Sequence, residues 1–380
     1  MREELARIVE ITSDPYGHVA RLKEEKNKRI IGCFPMHIPE EIVHAADLIP
    51  VMIWRSDEPV THGHTHITPY NCGIVRSFID DAVKEKLAFM DGMVFHVRQC
   101  LLVMECPLIV EKYVRPDYQK ILYMPPSYSN RATRNFLLTE LETFRKSLED
   151  FTGNRIGDEN LHRSIEIYNE NRSLLRRIYD IRREKPGIFT SSQVIRIVWA
   201  GMLMLKEDHN ELLRELIRGV EGQSVESQEE KIRVIPVGCL CQTPQFEVLD
   251  MIEDMGMIIP DDDLFVGSRY FANEVNMNGN PLGALADRYL TKTPVCPTKG
   301  IWDVHWGDEA VNMVKRNKAK GIISIHVKFC PPHACYYPDF KSKMEEEGVP
   351  EVMIQVEHEM VSMEATRTKL QTFAESLGGA

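Results

Sequence analysis

Short apolar runs alternate with amphipathic stretches along much of this chain of 380 residues. Runs of β-branched and other apolar residues predict strands at 30–34, 48–54, 91–97 and 121–124. The amphipathic stretches between these runs have the spacing of helices. From residue 231 the same alternation resumes and continues towards the C-terminus. Regular alternation of strand and helix is typical of α/β proteins with parallel sheets.

The stretch 128–222 has a different pattern, because three long segments in it carry helical periodicity throughout. Gly153 and the Lys185-Pro186-Gly187 break separate these segments. The fold class is therefore predicted as α/β, with two Rossmann- or flavodoxin-like parallel-sheet domains and a helical segment between them. The predicted boundaries are 1–127 for the N-terminal α/β domain, 128–228 for the helical segment and 229–380 for the C-terminal α/β domain.

Composition narrows the possible partners. The formal net charge of −11 argues against a nucleic-acid surface, which requires a basic face. The longest apolar run is too short to span a membrane, and the charged N-terminus has no signal core, so we expect no membrane partner and a cytoplasmic location. In that reducing compartment the nine cysteines are thiols, ligands or catalysts rather than disulfides.

Three cysteines follow or precede different buried-looking segments: Cys72, Cys100 and Cys330. The apolar runs 93–97 and 322–327 lead into Cys100 and Cys330, which places both thiols at carboxyl ends of parallel strands, where open α/β sheets hold ligands. Three converging thiols suit a cofactor better than a disulfide, and an iron–sulfur cluster is the best candidate. The alternative is an inert buried thiol in each case, since free cysteine packs as a small hydrophobic residue.

The residues around these cysteines resemble the family of 2-hydroxyacyl-CoA dehydratases and ATP-dependent benzoyl-CoA reductases. The resemblance covers most of the chain, from IGCFPMHIPEEIVHAADLIPV at 31–51 to SMEATRTKLQTF near the C-terminus. It includes Cys72, the DGMVF block before Cys100, DDDLFVGSRYF at 261–271 and VKFCPPHACYYPDFK around Cys330. The segments EEIVHAA and DDDLFVGSRYF look most like the smaller cluster-carrying subunit of benzoyl-CoA reductase.

The resemblance implies that Cys72, Cys100 and Cys330 are the thiolate ligands of one [4Fe–4S] cluster whose fourth iron lacks a cysteine. It implies three partners: a homologous cluster-carrying subunit, an ATPase iron–sulfur activator component that delivers low-potential electrons, and an acyl-CoA substrate. The first implied function is the iron–sulfur subunit of a benzoyl-CoA reductase, which dearomatises the ring. The alternatives are a subunit of a 2-hydroxyacyl-CoA dehydratase acting through a ketyl radical, and an electron-transfer or scaffold subunit without a substrate site.

One departure from the family pattern affects the second ligand. Relatives usually follow it with Asp, whereas Leu101 follows Cys100 here, so Cys106 is an alternative ligand. Cys239 and Cys241 form a CxC after a strand, which can bind a metal only together with further ligands, and a strand-end loop near the cleft is the favoured interpretation. The other cysteines are interpreted as packed or loop thiols: Cys33, Cys296 and Cys335.

A histidine run offers a competing metal hypothesis. His62, His64 and His66 would place imidazoles on one side of an extended segment, and zinc accepts such ligands. Zinc sites of the closed kind usually need paired CxxC knuckles, which the sequence lacks. We therefore favour a polar loop lining the active-site cleft before Cys72, with His66 as a substrate-binding candidate.

Two further segments have candidate roles. Ser268 and Arg269 follow an acidic strand end and could contact a phosphate or a CoA arm; the alternative is that Arg269 pairs with Asp262 or Asp263. His37 and Glu40 could shuttle protons, although a histidine near a helix start is more often structural. The sequence has no GxxxxGK[ST] phosphate loop, so ATP hydrolysis by that route is not expected.

Overall fold

The structure is a computed structural model that describes residues 1–52, 58–97, 100–125, 131–223, 231–238, 241–297, 304–359 and 362–378. It contains two parallel sheets with a group of helices between them in the chain, which confirms the predicted α/β class. The predicted domain boundaries, at 127/128 and 228/229, lie outside the described residues. No helix in the part of the chain given above is long and apolar enough to cross a membrane.

The N-terminal sheet has four parallel strands in the order β2-β1-β3-β4. Its strands and helices are α1 (Arg2–Ser13), α2 (Pro15–Lys26), β1 (Ile30–Phe34), α3 (Glu40–Ala45), β2 (Ile49–Met52), α4 (Gly73–Val83), β3 (Gly92–Val97), α5 (Cys106–Tyr113) and β4 (Tyr118–Tyr123). Strands β1 and β3 are buried along their whole length. Burial on both faces explains why they read as continuous apolar runs rather than as alternating patterns.

The middle of the chain is helical, as the periodicity predicts. Its helices are α6 (Arg131–Thr152), α7 (Asp158–Glu184), α8 (Ser191–Ala200) and α9 (Lys206–Glu221). Helix α7 packs against α9 and against α3 of the first sheet, while α1 packs against α8 and α9. The helical segment thus shares one hydrophobic core with both of its neighbours.

The C-terminal sheet has the order β6-β5-β8-β9, and the short strand β7 also pairs with β5. Its strands and helices are β5 (Ile232–Gly238), α10 (Phe246–Asp254), β6 (Met257–Ile258), β7 (Asp263–Leu264), α11 (Pro281–Asp287), α12 (Trp306–Asn317), β8 (Gly321–Val327), α13 (Pro331–Glu346), β9 (Glu351–Val356) and α14 (Glu364–Ser376). All of the strand pairs in this sheet are parallel. The two sheets have the same strand arrangement: β1 lies between β2 and β3, and β5 lies between β6 and β8. Duplication of one unit would produce such a match.

Several predicted boundaries differ from those observed. The helical prediction for residues 1–30 misses a break at Asp14, whose carboxylate accepts a hydrogen bond from the Gly17 N–H and caps α2. Helix α10 has Gln245 as its N-cap, although the sequence TPQ predicts a start at Thr243 with Pro244 in the first turn. The second predicted strand ends at Met52, and its last two predicted residues lie outside the described ranges.

Helix α13 begins much earlier than its apolar spacing indicates. It starts at Pro331, directly after Cys330, whereas the pattern predicts a helix from Asp339. Proline is tolerated in the first turn because the N–H groups there have no partner within the helix. As a result, Cys330 stands at the N-terminal end of a helix rather than in an open loop.

Candidate metal centre

The three predicted ligands occupy the same kind of position. Cys72 is the N-cap of α4, Cys330 is the N-cap of α13, and Cys100 is the N-cap of the short 3₁₀ turn Leu101–Glu105. Cys100 and Cys330 are each the third residue after a strand, β3 and β8 respectively. The N-terminal end of a helix carries unpaired N–H groups and a partial positive charge, which favours a thiolate over a thiol.

The loops that carry Cys72 and Cys330 meet across the boundary between the two sheets. The rings of Tyr70 and Phe329, which precede these two cysteines, make an edge contact with centroids 5.9 Å apart. Arg76 on α4 donates to the Glu357 carboxylate beyond β9 at 3.0 Å. These contacts bring thiols from different halves of the chain to one place.

The thiols of Cys72, Cys100 and Cys330 are close enough to affect one another's pKa values. Burial raises the pKa of Cys72 to about 12, and the neighbouring Cys100 and Cys330 thiols add to the rise. Burial also raises the pKa of Cys100, while the N–H groups of Leu102 and Val103 oppose part of the rise. A group of buried thiolates is therefore costly unless a positively charged partner is present, which is the condition that a metal or cluster meets.

Two further cysteines lie beside these three. Cys106 is fully buried at the start of α5, and its thiol pKa is raised well above the usual range by burial and by Cys72 and Cys100. It remains the alternative second ligand. The thiol pKa of Cys241 is raised in the same way by burial and by the Cys100, Cys330 and Cys72 thiols.

The sequence interpretation placed Cys241 in a strand-end loop near the cleft and did not include it among the ligands. The strand before it, β5, pairs with β8, the strand before Cys330, and its thiol is close enough to the three predicted ligands for their charges to raise its pKa further after burial. That strand order cannot be read from the chain. The remaining cysteines lie elsewhere: Cys33 is buried on β1, Cys296 is buried, Cys335 is exposed on α13, and Cys239 lies outside the described residues.

Within the described ranges no three His, Cys, Asp or Glu side chains close on a single point as the ligands of one metal ion would. The ligands of a [4Fe–4S] cluster bind different irons, so their sulfurs stand apart. A cluster therefore does not require such a point.

The histidine run is folded differently from the extended hypothesis. Residues Gly63–Thr65 form a 3₁₀ turn rather than an extended segment, so the spacing argument for imidazoles on one side does not apply. The His66 Nε2 atom lies 3.0 Å from the Tyr113 hydroxyl. The turn is tied to α4 because Asp80 accepts hydrogen bonds from the His62 and Gly63 N–H groups at 2.7 and 2.8 Å.

Arg269 is buried in an ion pair, its Nη2 atom lying 2.7 Å from the Asp263 carboxylate, and it also donates to backbone carbonyls of residues 294 and 295. The sequence left two alternatives for Arg269, a substrate contact and an ion pair with Asp262 or Asp263, and the structure shows the pair with Asp263. The Ser268 N–H donates to the Asp262 carboxylate at 2.9 Å. Ser268 also borders a cleft of about 1000 Å³ between α7 and the C-terminal part. Its charged side chains are of both signs and include Arg176, Arg183, Lys292, Arg316, Asp180, Asp261, Asp308 and Glu309.

His37 and Glu40 border a small cavity of about 30 Å³. Glu40 is buried and accepts a hydrogen bond from the Tyr270 hydroxyl at 3.0 Å, with Lys206 Nζ at 3.5 Å; burial raises its pKa. The His37 ring lies edge-on to Phe265 and His96. The cavity is large enough for a water molecule but not for an acyl-CoA.

The fold and the site together define a two-sheet α/β protein with a group of buried and partly buried thiols where its halves meet. Residues 35–377 match the model of the family described as 2-hydroxyglutaryl-CoA dehydratase, D-component, and the chain belongs to that family. The resemblance drawn from the residues is thereby confirmed.

Curated relatives span nearly the whole chain. It is 30% identical to a benzoyl-CoA reductase subunit of Thauera aromatica, over 93% of this chain and 92% of the relative. It is 28% identical to the (R)-phenyllactyl-CoA dehydratase beta subunit of Clostridium sporogenes, over 97% of both chains. It is also 28% identical to the beta subunit of lactoyl-CoA dehydratase from Anaerotignum propionicum, over 98% of both. Reductase and dehydratase subunits are thus similar to it to nearly the same degree.

Proposed function

We propose that this chain is the iron–sulfur subunit of an ATP-dependent aromatic acyl-CoA reductase that acts on benzoyl-CoA. The observation that carries the proposal is the meeting of the Cys72, Cys100 and Cys330 thiols, each at the N-terminal end of a helical turn. In this proposal the three thiolates hold one [4Fe–4S] cluster. When bound, such a cluster supplies one-electron transfer at low potential.

The residues around the thiols fit that group. Backbone N–H groups of Ile74 and Val75 lower the pKa of Cys72 against the effect of burial, because they point towards its sulfur. Polar N–H groups near sulfur and exclusion of water are the two means by which a protein sets the potential of a cluster.

The proposed partners follow from the same assignment. Similar relatives are named as subunits, which supports a complex with a homologous cluster-carrying subunit. Since the sequence has no phosphate loop of the GxxxxGK[ST] kind, we assign ATP hydrolysis to a separate activator component. In this proposal basic side chains of the large cleft at Ser268 contact the phosphates of an acyl-CoA. Two of them, Arg183 and Arg316, pair with Asp261 in the absence of a ligand.

The ligand set is tested by metal analysis of protein purified anaerobically together with its partner subunit. Wild-type protein should contain about four irons per chain with matching acid-labile sulfide and a cluster signal in the reduced EPR spectrum. Cys330→Ala should lose iron, and the matched control Cys335→Ala, on the same helix, should keep it. Zinc in place of iron, or the reverse order of the two variants, would overturn the assignment.

The second ligand needs its own comparison. Cys100→Ala and Cys106→Ala should be analysed in parallel for iron and sulfide, with circular dichroism to confirm that both variants fold. Loss of iron in Cys100→Ala alone supports Cys100. Loss in Cys106→Ala alone moves the assignment to Cys106.

A second candidate function is supported by the phenyllactyl-CoA and lactoyl-CoA dehydratase relatives. In that case the chain is a subunit of a 2-hydroxyacyl-CoA dehydratase. The complex with its activator should be assayed with benzoyl-CoA and with a 2-hydroxyacyl-CoA under the same conditions. Reduction of the ring of benzoyl-CoA would support the reductase function. Release of water from the 2-hydroxyacyl-CoA would support the dehydratase function instead.

A further inference from the structure

The small cavity of about 30 Å³ is enclosed by charged side chains from the N-terminal, middle and C-terminal parts of the chain. Glu41 belongs to α3 and Arg172 to α7. Arg269 and Arg288 lie in the turns Phe265–Arg269 and Arg288–Lys292, which come before and after α11. None of the three predicted cluster ligands lines this cavity, so its charges belong to a separate site.

Most of the buried cations around the cavity are balanced. Three of them have a carboxylate partner: Arg172 with Glu41, Arg269 with Asp263, and Lys206 with Glu40. Each of these pairs has no net charge, wherever a shared proton resides. The three pairs therefore leave no surplus charge of either sign at the cavity.

Arg288 adds a fourth cation that these pairs do not balance. Its buried guanidinium donates to the backbone carbonyls of residues 273, 270 and 272 at 3.0, 3.4 and 3.4 Å. Of the carboxylates that the structure describes, none forms an ion pair with it, and the nearby Glu41 and Glu40 are engaged by other cations. Burial and the neighbouring Arg172 lower the pKa of Arg288 to about 10, so it stays charged at neutral pH. A buried charge without a counter-charge is costly.

Arg269 has a donor without an acceptor at the same cavity. Its Nη atoms donate to Asp263 and to the carbonyls of residues 294 and 295. Its Nε atom has no hydrogen-bond partner among the described residues, although the side chain is only 3% exposed. A buried N–H without an acceptor also costs free energy. One bound anion would satisfy this donor and balance the charge of Arg288.

We propose that this cavity binds one small monovalent anion of the size of chloride, held by the guanidinium of Arg288 and by the Nε of Arg269. The volume has room for about two water molecules, which excludes larger anions. Guanidinium N–H groups are strong donors to anions. Because the cavity is walled by α3, α7 and the turns on either side of α11, the anion stabilises the packing of these segments against one another.

The first test shows directly whether the cavity is occupied. Crystals of the anaerobically purified complex are grown with sodium bromide in place of chloride, because bromine gives an anomalous signal at its absorption edge and water does not. We expect an anomalous peak in the cavity within hydrogen-bonding distance of Arg288 and of the Arg269 Nε. Bromide peaks confined to the protein surface, with water or no density in the cavity, would overturn the proposal.

The second test measures the anion in solution by hydrogen exchange and mass spectrometry. The complex is compared in sodium chloride and in sodium gluconate at equal ionic strength, since gluconate is too large for the cavity. At a chloride concentration about ten times the dissociation constant, exchange in 168–172 and 288–293 should slow about tenfold. Helix α14, which does not line the cavity, should exchange equally in both salts. Equal exchange of the cavity segments in the two salts refutes the site.

A pair of variants assigns the effect to Arg288. Arg288→Met removes the surplus charge and should abolish the difference between chloride and gluconate. Arg134→Met is the matched control, because Arg134 pairs with Asp287, the residue before Arg288, and its loss should leave the chloride effect in place. A chloride effect that persists in Arg288→Met contradicts the assignment. The bromide map of the wild type decides the question if Arg288→Met does not fold. Neither readout requires iron, so the anion site and the proposed function are tested separately.

Discussion

Gly73 lies so close to His358 that a Cβ atom added to it would stand 2.4 Å from the His358 Cβ. Gly73 is the first residue of α4 and follows Cys72 directly, and His358 lies just beyond β9 in the other sheet. The absence of a side chain at position 73 is therefore what allows the Cys72 loop to reach the C-terminal half.

Gly73→Ala should force these two segments apart. The neighbouring contacts are with the backbone and Cβ of His358, which cannot rotate away, so we expect a loss of about 1–3 kcal/mol in the free energy of unfolding. We also expect lower iron retention. Gly222→Ala is the control, since a Cβ at Gly222 meets nothing within 4 Å and should leave both quantities unchanged. Urea denaturation and iron analysis measure the two effects.

The buried pair of Arg269 and Asp263 should act as a structural unit. Both side chains are almost fully buried, and Trp306 also donates to Asp263 at 3.3 Å. Arg269→Met leaves the Asp263 carboxylate without its cation and should destabilise the fold by about 3–5 kcal/mol. The double variant Arg269→Met/Asp263→Asn should recover part of that loss.

The control for this pair is the exposed ion pair of Lys315 and Glu347. Lys315→Met should change the free energy of unfolding by less than about 1 kcal/mol. If Arg269→Met unfolds at the wild-type urea concentration but binds acyl-CoA more weakly, Arg269 serves the substrate and not the fold.

His209 should make stability depend on pH. Burial lowers its pKa to about 3, and its ring bonds to the Asn171 amide at 2.8 Å and to the Ile197 carbonyl at 3.0 Å. Above pH 6.5 the ring is neutral in both folded and unfolded chains and has no effect on the pH dependence. As the pH falls from 6.5 towards 3, only the unfolded chain takes up the proton, so stability falls by up to about 1.4 kcal/mol per pH unit.

Urea denaturation at pH values between about 7 and 4 measures this slope. His209→Gln should be less stable at neutral pH, because its hydrogen bonds change, but should show a shallower slope. The exposed His64→Gln should keep the wild-type slope. An unchanged slope in His209→Gln would mean that the folded chain already accepts a proton at position 209.

Asp80 should make stability fall with pH in the same direction as His209, but in a more acidic range. Hydrogen bonds from Lys84 and from backbone N–H groups at 61–63 lower its pKa to about 2 despite burial. The stabilisation is therefore fully present above pH 3.8 and is lost as the pH falls towards 2. Asp80→Asn should be about 2 kcal/mol less stable than wild type at neutral pH, with the difference shrinking below about pH 4.

The control for Asp80 is Asp47→Asn at an exposed ion pair with Lys28. It should show neither the loss at neutral pH nor the convergence at low pH. Limited proteolysis adds a local readout, because Asp80→Asn should release the turn that holds His66, and cleavage near residues 61–66 should become faster.

Local sequence pattern predicted the parallel sheets and the helical middle well. Continuous apolar runs such as 30–34 coincide with β1 because strands buried on both faces need no alternation. The apolar pattern was less informative where a polar side chain or a proline determines the first residue of a helix. The cap at Asp14 and the prolines that open α13 are examples, and the second of these hid the helical position of Cys330.

The ligand candidates at strand ends could also be predicted, since Cys100 and Cys330 directly follow apolar runs. For Cys241 the sequence indicated a strand-end loop near the cleft, but not which cysteines lie near it, because that depends on which strands are neighbours in the sheet. The same limit applies to Arg269, where the choice between a substrate contact and an ion pair depends on burial and on the position of Asp263. Which side chains meet across the fold is set by the order of the strands in the sheets and not by the spacing of residues in the sequence.

The division of the thiols between two sheets also sets an order in time. Cys72 and Cys100 belong with the first sheet and Cys330 with the second, so a ribosome that has finished the first two must still add the 230 residues from 101 to 330. At about 5–20 residues per second, the first two thiols wait on the order of ten to fifty seconds for the third. For the proposed ligand set, insertion of the cluster is therefore a step that follows synthesis, and during that wait the early thiols depend on a reducing environment.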